Sequence, residues 1–310
     1  MAADLDLPAS PTILQERLLT WYEDNKRSFP WRETTDPYAI LVMEVMSQQT
    51  QLSRVETAWA AFLERWPDVH ALADASADTV IAFWSSHRLG YNRRARYLHE
   101  AAVHIVDAWG GEIPDEPETL QELAGVGPYT ANAVASFAFN AGGAVVDTNV
   151  KRVVHRLLAV DAIDDPPDYD AVADALFPPD RSREWNNAVM ELGATTCTTE
   201  PACEECPWQS WCRANSSGDF RAPDVPTQAA FDGSRRQYRG RIVRALSPGE
   251  PRALDAIGRS VRVDYDPEGE FGRDWLRDLL EDLAADGLVV IEADDADTTL
   301  VRLADTDVDT

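Results

Sequence analysis

The segment Leu123-Ala124-Gly125-Val126-Gly127-Pro128-Tyr129-Thr130 decides how the first two-thirds of this chain is read. Apolar residues at helical spacing lie on both sides of it, over 120–123 and 130–139, so a G-x-G turn joins two helices. Pro128 suits the first position of the second helix, where its missing N–H is not needed. Glycines let a backbone approach a ligand closely, and the free N–H groups that open the next helix suit a phosphate. A tight αα-hairpin with no ligand fits the same residues.

Outward from this turn, the spacing of apolar residues predicts further helices over 13–22, 38–46, 54–66, 77–86, 93–109, 150–160 and 169–177. Turn signals separate them: Trp66-Pro67, Trp109-Gly110-Gly111, Asn140-Ala141-Gly142-Gly143 and Asp165-Pro166-Pro167. Alternating strand patterns are absent up to residue 213, and no internal repeat is present. Residues 214–234 read as a linker of Asn, Ser, Gly, Pro and Asp. A small module follows over 235–304. It has helices expected at 241–246, 252–261 and 274–285, and two strands at 288–292 and 298–303 around the acidic turn 293–297. Three helices and a two-stranded wing predict a winged-helix-like α+β module, with a patternless tail after Ala304.

With 310 residues the chain has room for two or three domains, and 45% hydrophobic residues supply their cores. No apolar run is long enough to span a bilayer. The formal net charge of −26 argues against a general polyanion binder. Lysine occurs only as Lys26 and Lys151, whereas aspartate is abundant throughout. A surface of this kind suits a protein in concentrated salt; an ordinary acidic cytosolic protein is the blander alternative. At high ionic strength the Debye length falls to about 3 Å, so the negative charge does not exclude DNA.

The four cysteines, Cys197, Cys203, Cys206 and Cys212, fall in one C-x5-C-x2-C-x5-C cluster. No signal-peptide pattern opens the chain, so a reducing cytoplasm is expected, where disulfides rarely persist. Four thiolates around one metal centre are then the natural reading. Zinc sites of four cysteines usually have two C-x2-C knuckles, and this cluster has one. An iron–sulfur cluster suits it better, with zinc the rival.

Two carboxylates stand out. Glu44 is a single acid within Ala39-Ile40-Leu41-Val42-Met43-Glu44-Val45-Met46, followed by the uncharged hydrogen-bonding run Ser47-Gln48-Gln49-Thr50-Gln51. It either faces solvent or is buried, where desolvation raises a carboxyl pKa until it holds a proton near neutrality. Asp147 precedes Asn149-Val150-Lys151-Arg152 and reads as an N-cap, where helix N–H groups hold a carboxylate ionised. One raised and one depressed carboxyl is the division of labour used in cleaving glycosidic bonds. Arginines gather in Arg88-Leu89-Gly90-Tyr91-Asn92-Arg93-Arg94-Ala95-Arg96-Tyr97, as a solvated helix start or as phosphate contacts with Tyr91 as an aromatic probe. A second run, Arg235-Arg236-Gln237-Tyr238-Arg239-Gly240-Arg241, opens the C-terminal module and is expected to touch DNA backbone.

In order, Phe29-Pro30-Trp31-Arg32, Glu44 to Gln51, Leu89-Gly90-Tyr91, the turn at 123–130, Val146-Asp147-Thr148-Asn149-Val150 and the four cysteines resemble the MutY-type adenine DNA glycosylases. These belong to the helix-hairpin-helix superfamily with endonuclease III, and the resemblance covers about residues 12–213. It implies a mainly α fold: a six-helix barrel with the helix-hairpin-helix over 34–142, beside a discontinuous iron–sulfur helical domain over 1–33 and 143–213. It implies one 4Fe–4S cluster on Cys197, Cys203, Cys206 and Cys212. It further implies that the partner is double-stranded DNA with an A:G or A:8-oxoguanine mispair, and that the chain is a monomer that hydrolyses the N-glycosidic bond without cutting the strand.

By the same resemblance, Glu44 matches the general acid that protonates adenine N7. Asp147 matches the carboxylate that stabilises the oxocarbenium ion or traps it covalently, and Tyr129 and Asn149 match residues that support this transition state. Trp31, Arg32 and Glu191 match the pocket for the flipped adenine. Gln48, Gln49 and Tyr91 match residues that enter the duplex and fill or probe the gap, as base flipping requires. Gly125, Val126, Gly127 and Arg93 fall at DNA-contacting positions.

Several positions depart from the family's pattern. Five residues rather than six separate the first two cysteines. Ser47, Asn92 and Thr148 stand where leucine, tyrosine and glycine are common. The short C-terminal module replaces a longer MutT-like domain that recognises 8-oxoguanine. A thymine-mismatch glycosylase would share Tyr129, Asp147 and the cluster, but Gln48-Gln49-Thr50-Gln51 favours the adenine branch. An endonuclease III-like lyase needs a lysine where Tyr129 stands. A non-enzymatic DNA-binding protein would have no use for both Glu44 and Asp147.

Overall fold

The structure, a computed structural model, describes residues 6–158, 168–223, 230–294 and 298–305. The turn at Asp165-Pro166-Pro167, the end of the helix expected over 150–160 and part of the acidic turn at 293–297 lie outside them. Up to residue 213 every regular element among the described residues is helical, as expected from periodicity. Four helices, Pro11–Asn25, Pro37–Ser47, Pro117–Leu120 and Pro128–Phe139, open on proline. Asp68 and Asp168 cap two more by accepting from Ala71 N (2.8 Å) and Ala171 N (3.1 Å). Gly110 and Asn140, both left-handed, end the Arg93–Trp109 and Pro128–Phe139 helices.

The chain divides into two compact units. The first comprises 1–41, 114–122 and 126–227. Its core joins Leu14, Leu18 and Tyr22 of Pro11–Asn25 to Val150, Val154 and Leu157 of Thr148–Leu158 and to Trp185, Val189 and Leu192 of Ser182–Thr195. Trp208 donates to Leu14 O (2.8 Å), tying the cysteine-bearing segment to the N-terminal helix. Cys197 and Cys206 pack against this core.

The second unit comprises 42–113, 123–125 and 228–310. Its aromatic core sets Phe62 against Trp66 and Phe83 (4.7 and 5.4 Å between centroids), with Trp84, Leu98 and Ile105 fully buried. Each such side chain contributes about 1.5–3 kcal/mol on burial. The C-terminal module is part of this unit. It runs Arg235–Ala245, strand Arg252–Ala253, Leu254–Val261, Arg273–Ala285, then strands Val289–Asp294 and Thr298–Leu303. The third strand lies between the other two in an antiparallel sheet, pairing Val301 with both Arg252 and Ile291. This is winged-helix order. Its first helix packs on Ala77–Ser86, and Gly249 N donates to Asp78 (2.9 Å).

Some boundaries differ from expectation. The element expected at 120–123 is Pro117–Leu120, and the first helix of the module starts at Arg235, not 241, because Ser234 caps it through Gln237 N. Residues 252–253 are strand, not helix. Helices Val69–Ala73, Ser182–Thr195 and Arg213–Ser217 were not anticipated.

Candidate active site

In the first unit, Asp147 is the N-cap its position predicts. One carboxylate oxygen accepts from Val150 N (2.7 Å) and the other from Asn149 Nδ2 (2.9 Å). Asn149 in turn accepts from Arg152 (2.8 Å), which also donates to Gly193 O and Cys197 O. Asp147 is half-buried, so a carboxyl group with defined neighbours stands at a helix start. A Cβ on Gly193 would lie 2.7 Å from Asn149 Cβ, so a side chain there would displace Asn149. Tyr129, just inside the Pro128–Phe139 helix, is 38% exposed, whereas Val126 is buried.

Glu191 is fully buried and both its oxygens are occupied. Arg27 donates to it from the backbone N (3.0 Å), Nε (2.6 Å) and Nη2 (3.1 Å), and Arg32 donates from Nη2 (2.7 Å). Burial pushes the Glu191 carboxyl up, but these hydrogen bonds outweigh it and hold it below the usual carboxylate range. Trp31 is buried and stacks on Phe29 (4.9 Å, 7°), and Arg32 lies over both Phe29 and Tyr22. Trp31, Arg32 and Glu191 therefore share one neighbourhood. Arg27, which sequence reasoning missed, is its fourth member.

In the second unit, Glu44 does not face solvent. It is 4% exposed on a helix whose other residues from Ala39 to Met46 are also buried. Gln48 and Gln49 follow this helix, Gln49 with a left-handed backbone (φ 53°). Arg88, Gly90 and Tyr91 are left-handed too, and this exposes Tyr91. The residue that fixes both loops is Arg94. Its guanidinium donates to Val45 O (2.7 Å), Met46 O (3.2 Å) and Gln48 O (2.6 Å), and on its other side to Thr50 Oγ1 (3.1 Å), Leu89 O (3.0 Å) and Gly90 O (3.3 Å). Burial pulls its pKa to about 10, which leaves it charged at neutral pH. Gly125 is left-handed (φ 74°), and a Cβ there would meet the Tyr97 ring at 2.8 Å.

Gln48, Gln49, Tyr91, Arg93 and Gly125 line one cavity of about 1190 Å³, with Arg235, Arg236 and Arg239 of the C-terminal module on its wall. Much of that positive charge is already paired. Arg93 donates to Asp286 (3.1 Å), Arg239 pairs with Asp286, and Arg235 pairs with Asp278 and with Asp282 (2.6 Å). Arg236 donates to the Tyr91 hydroxyl (3.2 Å) and lies over its ring. Within the run Arg235 to Arg241, Arg235 and Arg239 also tie the module's first helix to the acids at 278, 282 and 286.

The four cysteines are half-buried free thiols in the first unit. Burial pushes Cys206 up to about 12, and the nearby Cys197, Cys212 and Cys203 add to it. Arg156 donates to Cys197 Sγ (3.5 Å) and to Thr198 O (2.6 Å). Among the described residues no three or more His, Cys, Asp and Glu are gathered in metal-ligating geometry. The donor chemistry nonetheless fits an iron–sulfur group: four sulfurs within electrostatic reach of one another and a guanidinium positioned to hydrogen-bond a thiolate.

Residues 42–179 match the HhH-GPD superfamily of base excision DNA repair proteins. An adenine DNA glycosylase of Mycolicibacterium smegmatis is 42% identical over 91% of this chain and 94% of its own length. The chain belongs to the adenine DNA glycosylase family. As a member it is a DNA N-glycosylase of base excision repair. The human adenine DNA glycosylase is 41% identical over 66% of this chain and 40% of that protein. In fold, a thermostable thymine-DNA glycosylase aligns with TM-score 0.62 at 27% identity, over 67% of this chain and 97% of that one. An endonuclease III–DNA complex aligns with TM-score 0.57 at 22% identity, over 69% of this chain and 100% of that one. The mainly α, helix-hairpin-helix fold class read from the sequence is borne out.

Proposed function

We propose that this glycosylase removes adenine paired with guanine or 8-oxoguanine in duplex DNA, acting as a monomer in the cytoplasm. The observation that carries the reading is the burial of Glu44, a lone carboxyl within an apolar run of its helix. Glu44 donates a proton to N7 of the flipped adenine. The C1′–N9 bond then breaks with its electrons going to the base. Asp147, held by Asn149 and the helix start, carries the negative charge that faces the cation at C1′. Water adds to that carbon and loses a proton, leaving an abasic site. Tyr129 supports this site and, being no amine, forms no Schiff base.

Trp31 and Arg32 line the adenine pocket, and Glu191 sets the orientation of Arg32 within it. Gln48, Gln49, Tyr91, Arg93 and the turn Gly125-Val126-Gly127 meet the DNA. The domain with 1–33 and 143–213 holds one 4Fe–4S cluster on Cys197, Cys203, Cys206 and Cys212, and the packing of the N-terminal helix beside Cys197 and Cys206 supports this division. The barrel spans 34–142, and a linker at 214–234 leads to the module at 235–304. The scarcity of lysine supports a high-salt habitat.

The test is strand-resolved cleavage of A:G, A:8-oxoguanine and T:G duplexes, read before and after alkali. Adenine-strand cleavage only after alkali is expected. Preference for T:G overturns the adenine assignment, and nicking before alkali overturns the monofunctional one.

A further inference from the structure

The first helix of the C-terminal module divides its arginines between two uses. Arg235 and Arg239 pair with acids of the Arg273–Ala285 helix and its end. Arg241 and Arg244, further along, instead line a second cavity of about 540 Å³ with Arg252, Arg259 and Arg262. Among the described residues, no carboxylate lines it. Arg262 pairs with Asp264 (2.9 Å). Arg241 and Arg252 donate to the carbonyls of Val261 (3.1 Å) and Ala245 (2.7 Å). Among the described residues, Arg241, Arg244, Arg252 and Arg259 have no carboxylate within ion-pair distance.

In a chain of net charge −26, five guanidiniums around one acid-free cleft run against composition. Desolvation first, and then Arg88 and Arg241, pull the Arg244 pKa down. An anion in the cleft favours the charged guanidinium and opposes that shift. Among the described residues, the lining holds no aromatic ring on which a base would stack, which favours a backbone phosphate over a nucleotide. Arg241 and Arg244 also line the larger cavity with Gln48, Gln49 and Tyr91, so the positive surface is continuous from those loops onto the module.

We propose that this cleft binds the phosphate backbone of the duplex flanking the mispair, through Arg244, Arg252 and Arg259. The proposal rests on the glycosylase reading and adds a second, sequence-independent DNA contact away from the excised base. It also assigns the module's phosphate contact to residues other than the Arg235–Arg239 pairs.

The experiment measures binding of the full chain to undamaged duplex by fluorescence anisotropy, at two salt concentrations a factor of four apart, both within the range where the fold is intact by circular dichroism. Each phosphate contact contributes about 0.9 to the slope of log affinity against log salt. Arg244→Ala with Arg259→Ala should lower the slope by about 2, so wild type's advantage over the variant shrinks about tenfold across that salt rise. Arg244→Lys with Arg259→Lys should keep the wild-type slope. An unchanged slope in the alanine pair overturns the cleft, as does an equal fall in both pairs. Adenine excision by wild type is read in parallel. If excision is absent while the slope still falls in the alanine pair alone, the glycosylase reading fails and the phosphate cleft stands.

Discussion

Replacing Glu191 by glutamine keeps the side-chain shape and removes the charge that Arg27 and Arg32 enclose with four hydrogen bonds of 2.6–3.1 Å. The Glu191 side chain is 0% exposed, that of Arg32 14% and that of Arg27 43%. Removing one partner of a buried pair costs about 3–5 kcal/mol. Arg27 can return to water, so the lower end, about 3 kcal/mol, is expected. At roughly 2–4 °C per kcal/mol, the melting midpoint should fall by about 6–12 °C. The folded-state pKa of Glu191 lies below its ordinary value of 4.5. Its stabilisation is therefore fully present above that value and lost as pH falls through the depressed folded-state pKa. The gap between wild type and variant should be level from neutral pH to about 4.5 and close in stronger acid. Salt should change it little, since a buried pair is poorly screened. Calorimetric melts in a pH series read all of this. A gap under about 1 kcal/mol at neutral pH, or one that widens toward acid, would refute the argument.

Glu44→Gln and Asp147→Asn should each cut single-turnover adenine excision by at least about 10²–10⁴-fold while DNA binding persists; near-wild-type turnover in either removes that residue from the mechanism. Gly125→Ala forces a left-handed alanine with its Cβ 2.8 Å from the Tyr97 ring. It should destabilise the protein by at least about 1–2 kcal/mol, and an unchanged melt contradicts the turn assignment. Cys203→Ser should bleach a brown chromophore and loosen the segment after Gly193. Wild-type protein purified without oxygen, folded but iron-free with four titratable thiols, refutes the cluster.

Helices with a proline start or one apolar face were legible from sequence: Ala77–Ser86 and Arg93–Trp109 have the bounds their periodicity predicts. Ser182–Thr195 does not stand out although Trp185, Ala188, Val189 and Leu192 mark a buried stripe, because its first turn is polar and the nearest prolines, Pro178 and Pro179, precede it rather than opening it. The strand Arg252–Ala253 has only two residues, too few to alternate, and exists because Leu300 and Val301 pair with it. At the site, Glu44 and Asp147 are chemically conspicuous, one an acid in an apolar run and the other at a cap position. Arg94 looks like Arg93 and Arg96 in composition. Only its helical phase, shared with Leu98 and Ala101, marks it as buried. The pairing of Arg235 and Arg239 depends on acids some 40 residues away in sequence, which no local pattern records.

Arg94 has a mechanical consequence. The chain around Gln48 and the chain around Tyr91 are far apart in sequence, yet one planar cation holds both by their carbonyl oxygens. A guanidinium is rigid, so its two ends cannot move independently. A displacement that lifts the Leu89–Gly90 carbonyls tilts the plane that grips Val45 and Gln48. The two loops therefore behave as the jaws of a single clamp with Arg94 as its pin. The rest position of those jaws is set from inside the protein, before anything enters between them.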